Sequence, residues 1–490
     1  MEQQNPIEKN QQEQLAVPAG KAELIFGAVI CLLSLLLCNS VYAGGYNLVF
    51  GLCAMGLIIA SVAYFWHLGR RPTGYSGALL VCSLLLSASF GWSCDGFVKF
   101  FMFIFMLLSA GLGLCLLAGQ NRRDPGRAGS LWDGADMFFR FGFGKMTESC
   151  RGVGAVIRSG SAGKKVGGVL LGLAFAFPVM LIVLPLLTSA DAAFEGLMDH
   201  LPELEIEEMV VTVIFGVAMT LLGYSQTVAM KYADAPKPVK QKKGGLNAVT
   251  VNTVLVCLCF VYGVYLFSQL AYFVGGFAGL LPKEYSLAQY ARRGFFEMAM
   301  LCGVDLAVMV ISLGVVKAGD RAPLSTRILC LMIGLVSLFF VSTASAKMFM
   351  YIGSFGMTRL RLLTQIIMLF FAFTTLVVSV WLFAPKLPYM KVVILGAMLI
   401  GLTTVWMDVD TQVARYNVDA YLSGKLETVD ISYLKSLSDG AQLQLERLSR
   451  EAADPQVVQS AENALHNRRK FIDLRQWNYF NFIAGKEKTE

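Results

Sequence analysis

The chain has 490 residues, of which 56% are apolar and 15% charged, with a net charge of +7. A soluble domain carries about 25% charged residues, and here the apolar residues fall in blocks of about twenty, enough to cross roughly 30 Å of hydrocarbon. Those numbers exclude a soluble enzyme, a nucleic-acid-binding protein, a secreted disulfide scaffold and a disordered chain. The expected fold is all-α: a polytopic helical membrane bundle of about 11 spans with a small extracytoplasmic helical C-terminal domain.

In chain order, residues 1–22 are polar and Gln-rich and read as a disordered cytoplasmic tail. Four spans are predicted at 23–43, 46–66, 75–92 and 97–118, forming N-terminal hairpins over 23–118. Residues 119–165 mix Trp132, Phe138, Phe139, Phe141 and Phe143 with Arg140, Lys145, Arg151 and Arg158. They read as a basic amphipathic segment in the cytoplasmic interface, the alternative being a re-entrant or core-packed connector. A seven-span core over 166–408 follows, with spans at 166–188, 209–229, 249–272, 294–316, 326–346, 361–384 and 391–408. The stretch 247–281 is too long for one straight span, and Gly275-Gly276 is the expected break.

From about Asp410 the chain becomes charged with helical periodicity, so 409–490 reads as a helical domain. Ile431, Leu434 and Leu437 mark one apolar stripe and Ala441, Leu445 and Leu448 a second. Asp430 and Asp439 are the expected N-caps, and Pro455 opens a third helix. A domain of this size is marginal alone, so it is expected to dock on the membrane part. Residues 409–490 contain none of the eleven cysteines, so no disulfide holds it.

Lys and Arg concentrate in loops 67–74, 119–165, 230–248, 317–325 and 385–391, while loop 189–208 has none. The bias predicts a multi-pass membrane protein with its N-terminus inside and its C-terminus outside. Loops 282–293 and 346–361 are external by this reading yet carry arginines. Those cations need anions. Arg292, Arg293, Lys347, Arg359 and Arg361 form the candidate external set, with Asp410, Arg415, Asn417, Asp419 and Asp430 of the following tail. Two readings stay open: an internal ion-pair network that docks the tail, or a site for an anionic ligand held by bidentate Arg contacts.

Inside the membrane, Asp305 sits mid-span with Glu297 eight residues earlier. A carboxylate there costs about 3 kcal/mol on insertion scales and must face the bundle, be protonated, or line a wet cavity. The spacing of eight puts the pair within about 80° of one face, so the two could line one path. The alternative is a neutral Asp making an interhelical hydrogen bond. No P-loop, G-x-S-x-G or H-E-x-x-H motif occurs, and the three histidines lie far apart. No catalytic residue, cofactor or metal site is therefore predicted.

Four segments stand out: GGVLLGLAFAFPVMLIVLPLLTSADAAF at 167–194, YSLAQYARRGFFEM at 285–298, KMFMYIGSFGMTRLRLL at 347–363 and VARYNVDAYLSGKLETVDISYLKSLS at 413–438, followed by Trp477-Asn478. In this order they resemble the DUF4173/DUF4153 family of bacterial membrane proteins. The chain departs from the family's acidic-Ala-x-Pro run at Asp439-Gly440-Ala441-Gln442. The resemblance implies a multi-pass protein of the bacterial cytoplasmic (plasma) membrane and brings no activity with it. The favoured expectation is a non-enzymatic role in sensing, signalling or envelope assembly through the tail. Its partners would be the lipid bilayer and a protein or anionic ligand outside, with no nucleic acid. The alternatives are a transporter or lipid-handling protein using Asp305 and Glu297, and a transferase acting on a lipid-linked anion at the outer arginines.

Overall fold

The structure, a computed structural model, describes residues 20–92, 96–151, 183, 206–233, 236, 245–277, 295–316 and 322–466. Among them the fold is a polytopic helical bundle, and the only extended pairing is an isolated bridge between Leu246 and Val316. The first hairpins are α1 (Lys21–Gly44), α2 (Leu48–His67), α3 (Gly74–Ser89) and α4 (Gly96–Leu117). A short α5 (Leu131–Asp136) follows, running into a π-helical stretch, Met137–Phe143. The remaining long helices are α6 (Ile206–Tyr232), α7 (Ala248–Phe277), α8 (Phe295–Val315), α9 (Leu324–Phe355), α10 (Arg359–Phe383) and α11 (Tyr389–Trp406). Nine helices among the described residues are long and apolar enough to cross a membrane, and α3 is a shorter apolar helix of 16 residues. Large apolar side chains on the outer surface, such as Phe260, Phe267 and Met300, are more than two-thirds exposed, as lipid solvation allows. The predicted span at 166–188 lies, but for Val183, outside the described residues, as do Gly275-Gly276 side-chain surroundings.

Contacts sort the helix ends into two layers. At one end Lys231, in the last turn of α6, binds Glu23, in the first turn of α1, at 2.6 Å. Tyr64 of α2 donates to the same Glu23 carboxylate at 2.9 Å. Arg70 donates to the Ala118 carbonyl, Gln120 to those of Met230 and Ala233, and the Ala128 N–H to the Tyr389 hydroxyl. The opposite end gathers Lys99 on the Tyr46 carbonyl at 2.5 Å, Asn39 on Glu208 at 2.6 Å, and the Trp92 and Trp406 rings at 5.8 Å.

One helix runs further than the sequence suggests. The predicted span 326–346 is the core of α9, a helix of 32 residues that ends only at Gly356, whose φ is 74°. Lys347 therefore sits inside α9 and not in a loop. Polarity rises after Ser345, but no residue there breaks a helix, so the backbone keeps its internal pairing. The other long helix, α7, is described as far as Phe277, one residue past the expected break at Gly275-Gly276, and the segment expected to turn along the surface lies outside the described residues. Glycine costs a helix roughly 1 kcal/mol, less than several unpaired backbone groups in hydrocarbon would.

The segment after α4 is anchored by Asp133, which is 2% exposed. It accepts from the N–H groups of Arg122 and Arg123 at 3.2 and 3.0 Å and from the Arg123 guanidinium at 2.7 Å. Ser225 of α6 donates to the Phe141 carbonyl at 2.7 Å within the π-helical stretch. Trp132, Phe139 and Phe143 face outward and are each at least 60% exposed. The segment thus packs on the ends of α4 and α6 while presenting an aromatic face, combining features of both sequence readings.

After α11 the chain forms α12 (Val409–Leu422), α13 (Ile431–Ser436), α14 (Gln442–Glu451) and α15 (Pro455–His466). Val413, Val418, Leu434, Ala441, Leu445, Leu448 and Ala461 are fully buried and belong to one cluster continuous with the membrane core. Asp430 caps α13 by accepting from the Tyr433 N–H at 2.9 Å, and Pro455 opens α15. The expected cap at Asp439 shifts: α14 is capped at Ala441 after a 3-10 turn, Asp439–Ala441. A Cβ on Gly440 would lie 2.4 Å from a carboxylate oxygen of Asp408, so the chain must approach that turn as bare backbone.

Inside the membrane, small residues let helices touch. Ser83 of α3 and Ser109 of α4 pair at 2.7 Å. Gly51 of α2 lies so near α3 that a Cβ would sit 2.3 Å from the Ser87 carbonyl oxygen. Gly51→Val is expected to lower thermal stability in detergent by about 1–3 kcal/mol through overpacking. Gly263→Val, where a Cβ meets nothing within 4 Å, should leave the melting temperature nearly unchanged.

Candidate functional site

The densest polar arrangement outside the spans lies where α9 turns into α10. Gly356 makes the turn with a positive φ of 74°, and a Cβ there would fall 2.6 Å from the Asn417 side-chain oxygen. Both facts restrict the position to glycine. The Asn417 amide reads the turn as a neighbouring strand would. It accepts from the Met357 N–H at 2.7 Å and donates to the Met357 carbonyl at 2.8 Å. Thr358 then caps α10, accepting from the Arg361 N–H.

Arg359, the first residue of α10, meets Asp410 of α12 through two parallel bonds. Nε donates to Oδ1 at 2.7 Å and a terminal guanidinium nitrogen to Oδ2 at 2.6 Å. Asp410 has no solvent exposure, whereas the Arg359 side chain is 33% exposed. Asp410 also accepts from the Ser438 N–H at 2.8 Å, and the Arg359 N–H donates to the Tyr433 hydroxyl at 2.7 Å. Burial pushes the Tyr433 phenol above its ordinary pKa, so it stays a neutral acceptor. Asp410 and Asn417 are seven residues apart on α12, two helical turns, and share the face turned to the α9–α10 corner. Two tail residues, Asp410 and Tyr433, therefore meet one arginine, and Ser438 holds the aspartate from a third segment.

The other external candidates do not join this node. Arg361 donates to the Phe355 and Gly356 carbonyls and lies 4.2 Å from the Tyr351 ring centroid, so it closes the C-terminus of α9. Arg415 faces Asp419 at 3.8 Å, and Asp419 binds Arg447 at 2.6 Å. These are partly exposed surface pairs of little energetic weight. Asp430 is the cap of α13. Arg292 and Arg293 lie outside the described residues.

Within the bundle, Asp305 of α8 is fully buried. Tyr262 of α7 donates to its Oδ1 at 2.5 Å, and the Ser337 hydroxyl of α9 faces the same carboxyl. Phe340 of α9 packs edge-on against the Tyr262 ring at 5.5 Å. Glu297, two turns earlier, is exposed. The structure thus separates the two carboxyls: the 80° between them carries one inward and the other to the outer surface. Among the described residues no group of His, Cys, Asp and Glu could hold a metal ion.

Residues 78–448 match the family described as a domain of unknown function, DUF4153. The chain belongs to the DUF4153 family. Comparison with curated proteins and with solved structures found no match. In this DUF4153 chain the matched stretch opens inside α3 and closes inside α14, so Arg359, Asp410, Asn417 and Tyr433 all fall within it.

Sequence reasoning missed Tyr433, Tyr262 and the Glu23–Lys231 pair. Glu23 and Lys231 are each a single charge at the edge of an apolar block, a signal that hydropathy alone assigns to loops. The tyrosines give no local signal, because their partners are remote in sequence.

Arg359→Ala strands a buried carboxylate and is expected to destabilise tail docking by about 3 kcal/mol. Limited proteolysis should then cut between α11 and α13 much faster than in the unaltered chain. The double variant Arg359→Met with Asp410→Leu, which removes both charges, should recover most of the protection.

Proposed function

We propose that this multi-pass membrane protein holds its C-terminal helical domain as a fixed docking platform on the extracytoplasmic face. The platform serves a protein partner in sensing, signalling or envelope assembly. The observation that carries the reading is that Arg359 and Asp410 bind one another and that Asn417 binds the chain's own backbone at Met357. A site built for an anionic ligand, or for a transferase acting on one, would keep its guanidinium groups open to the ligand. Arg361 is spent on carbonyls of α9 in the same way.

The orientation rests on charge. Arg70, Arg71, Arg122, Arg123, Arg127 and Lys231 sit in the layer of helix ends that holds the start of α1, and the tail leaves from the other layer. Basic loops favour the cytoplasm. With a membrane-impermeant maleimide on intact cells, Asn463→Cys on exposed α15 should label directly. Arg127→Cys should label only after permeabilisation. The reverse pattern would overturn the orientation, and crosslinking that returns no protein partner for a correctly placed tail would overturn the platform.

Asp305 supports a second reading, movement of a proton or cation through the bundle. Its favouring observation is a fully buried carboxyl that meets neutral hydroxyls, Tyr262 and Ser337, and no cation among the described residues. Glu297 has no part in it, being exposed. Asp305→Asn should abolish proton- or cation-coupled flux in proteoliposomes, and an unaltered flux removes the reading.

A further inference from the structure

A groove of about 590 Å³ runs along the outer surface between α2 and α3. Its walls are apolar: Ile58 and Val62 from α2 face Leu80 and Leu84 from α3, and Trp66 and His67 stand at its mouth. Ile58 and Trp66 are eight residues apart, so the groove extends roughly 12 Å along the helix axis. Ala63 and Gly77 line it and hold it open, because neither projects a bulky side chain.

The mouth is positively charged. Arg71 is exposed and lies over the Trp66 ring at 5.7 Å from the centroid. No carboxylate pairs with it among the described residues. Its neighbour Arg70 is already engaged, donating to the Ala118 carbonyl. The 16 residues of α3 span roughly 24 Å, less than the 30 Å or so of a hydrocarbon core. The preceding α2 has 20 residues and spans roughly 30 Å, so its end at Trp66 and His67 reaches the edge of the hydrocarbon, where an arginine and a tryptophan at a helix end belong.

We infer that this groove binds an anionic phospholipid, with one acyl chain between α2 and α3 and the phosphate on Arg71. The apolar walls accept a chain of any headgroup class, and the guanidinium selects the anionic one. Trp66 holds Arg71 over the mouth through its ring face. The groove's α2 residues and Arg71 precede residue 78, where the DUF4153 match begins, while Leu80 and Leu84 of the facing wall fall within it. The site does not depend on which side of the membrane the tail occupies.

The test uses the full chain in detergent, exchanged into phosphatidylglycerol or phosphatidylcholine and read by native mass spectrometry. One arginine near a phosphate is worth about a fivefold preference for the anionic lipid. The unaltered chain should show that preference. Arg71→Ala should lose it while still retaining lipid, and Arg71→Lys should keep it. Ala63→Trp fills the groove from an exposed position and should lose retention of both lipids with an unchanged melting temperature in lipid-free detergent. Equal retention of the two lipids by the unaltered chain overturns the proposal. So does a preference that survives Arg71→Ala, or full retention by Ala63→Trp. A dimer mass in lipid-free detergent that Ala63→Trp abolishes would give the groove to a second copy of the chain, and also overturns it.

Discussion

A carboxylate without solvent access sits just beyond the last membrane helix, and a single guanidinium reaches it from the neighbouring hairpin. Taking Asp410 out of water costs several kcal/mol. The two parallel bonds from Arg359 and the Ser438 N–H offset that cost. Such a pair adds little net stability compared with a well-packed apolar substitute, but it fixes position. Position is what the tail needs. Its own helices are short, and their apolar residues find a core only by joining the cluster that continues from the bundle. The ion pair sets where they join, and the Asn417 amide on Met357 sets the rotation of α12 about its axis.

The polar contacts elsewhere follow a different rule. Between spans, contact is made by serines and glycines that bring backbones together, as at Ser83–Ser109 and Gly51–Ser87. Among the described residues buried charge lies at helix ends, as at Glu23–Lys231, or in the short segment after α4, as at Asp133–Arg123. Asp305 is the exception among them, and a tyrosine partner in place of a cation marks it as one.

Much of the membrane architecture was legible because hydropathy registers each crossing independently of tertiary structure. Arg359 and Asp410 could be suspected of meeting because an arginine at the base-poor end of a bundle requires an anion, and the nearest acidic stretch was the tail. Which arginine and which aspartate meet was not legible: Arg361, two residues on, is rotated about 200° around the helix and turns back to α9. Lys347 misled because local polarity suggested a loop, yet nothing forbade a helix, and an unforbidden helix continues. The Glu297–Asp305 separation shows that an angular offset that looks tolerable on a wheel divides interior from surface in a real bundle.

α9 has a mechanical consequence. Its 32 residues form an unbroken rod whose far tip, with the start of α10, carries the tail. Its near end begins at Pro323, and Arg327 one turn on reaches the Leu382 carbonyl at the end of α10. A tilt of about 5° pivoting at that foot would sweep the tip by about 4 Å over its roughly 48 Å length. The tail, being clamped, would travel with it as cargo on a lever. Small rearrangements on one surface of the bilayer are thereby geared up into displacements of an entire folded body on the other.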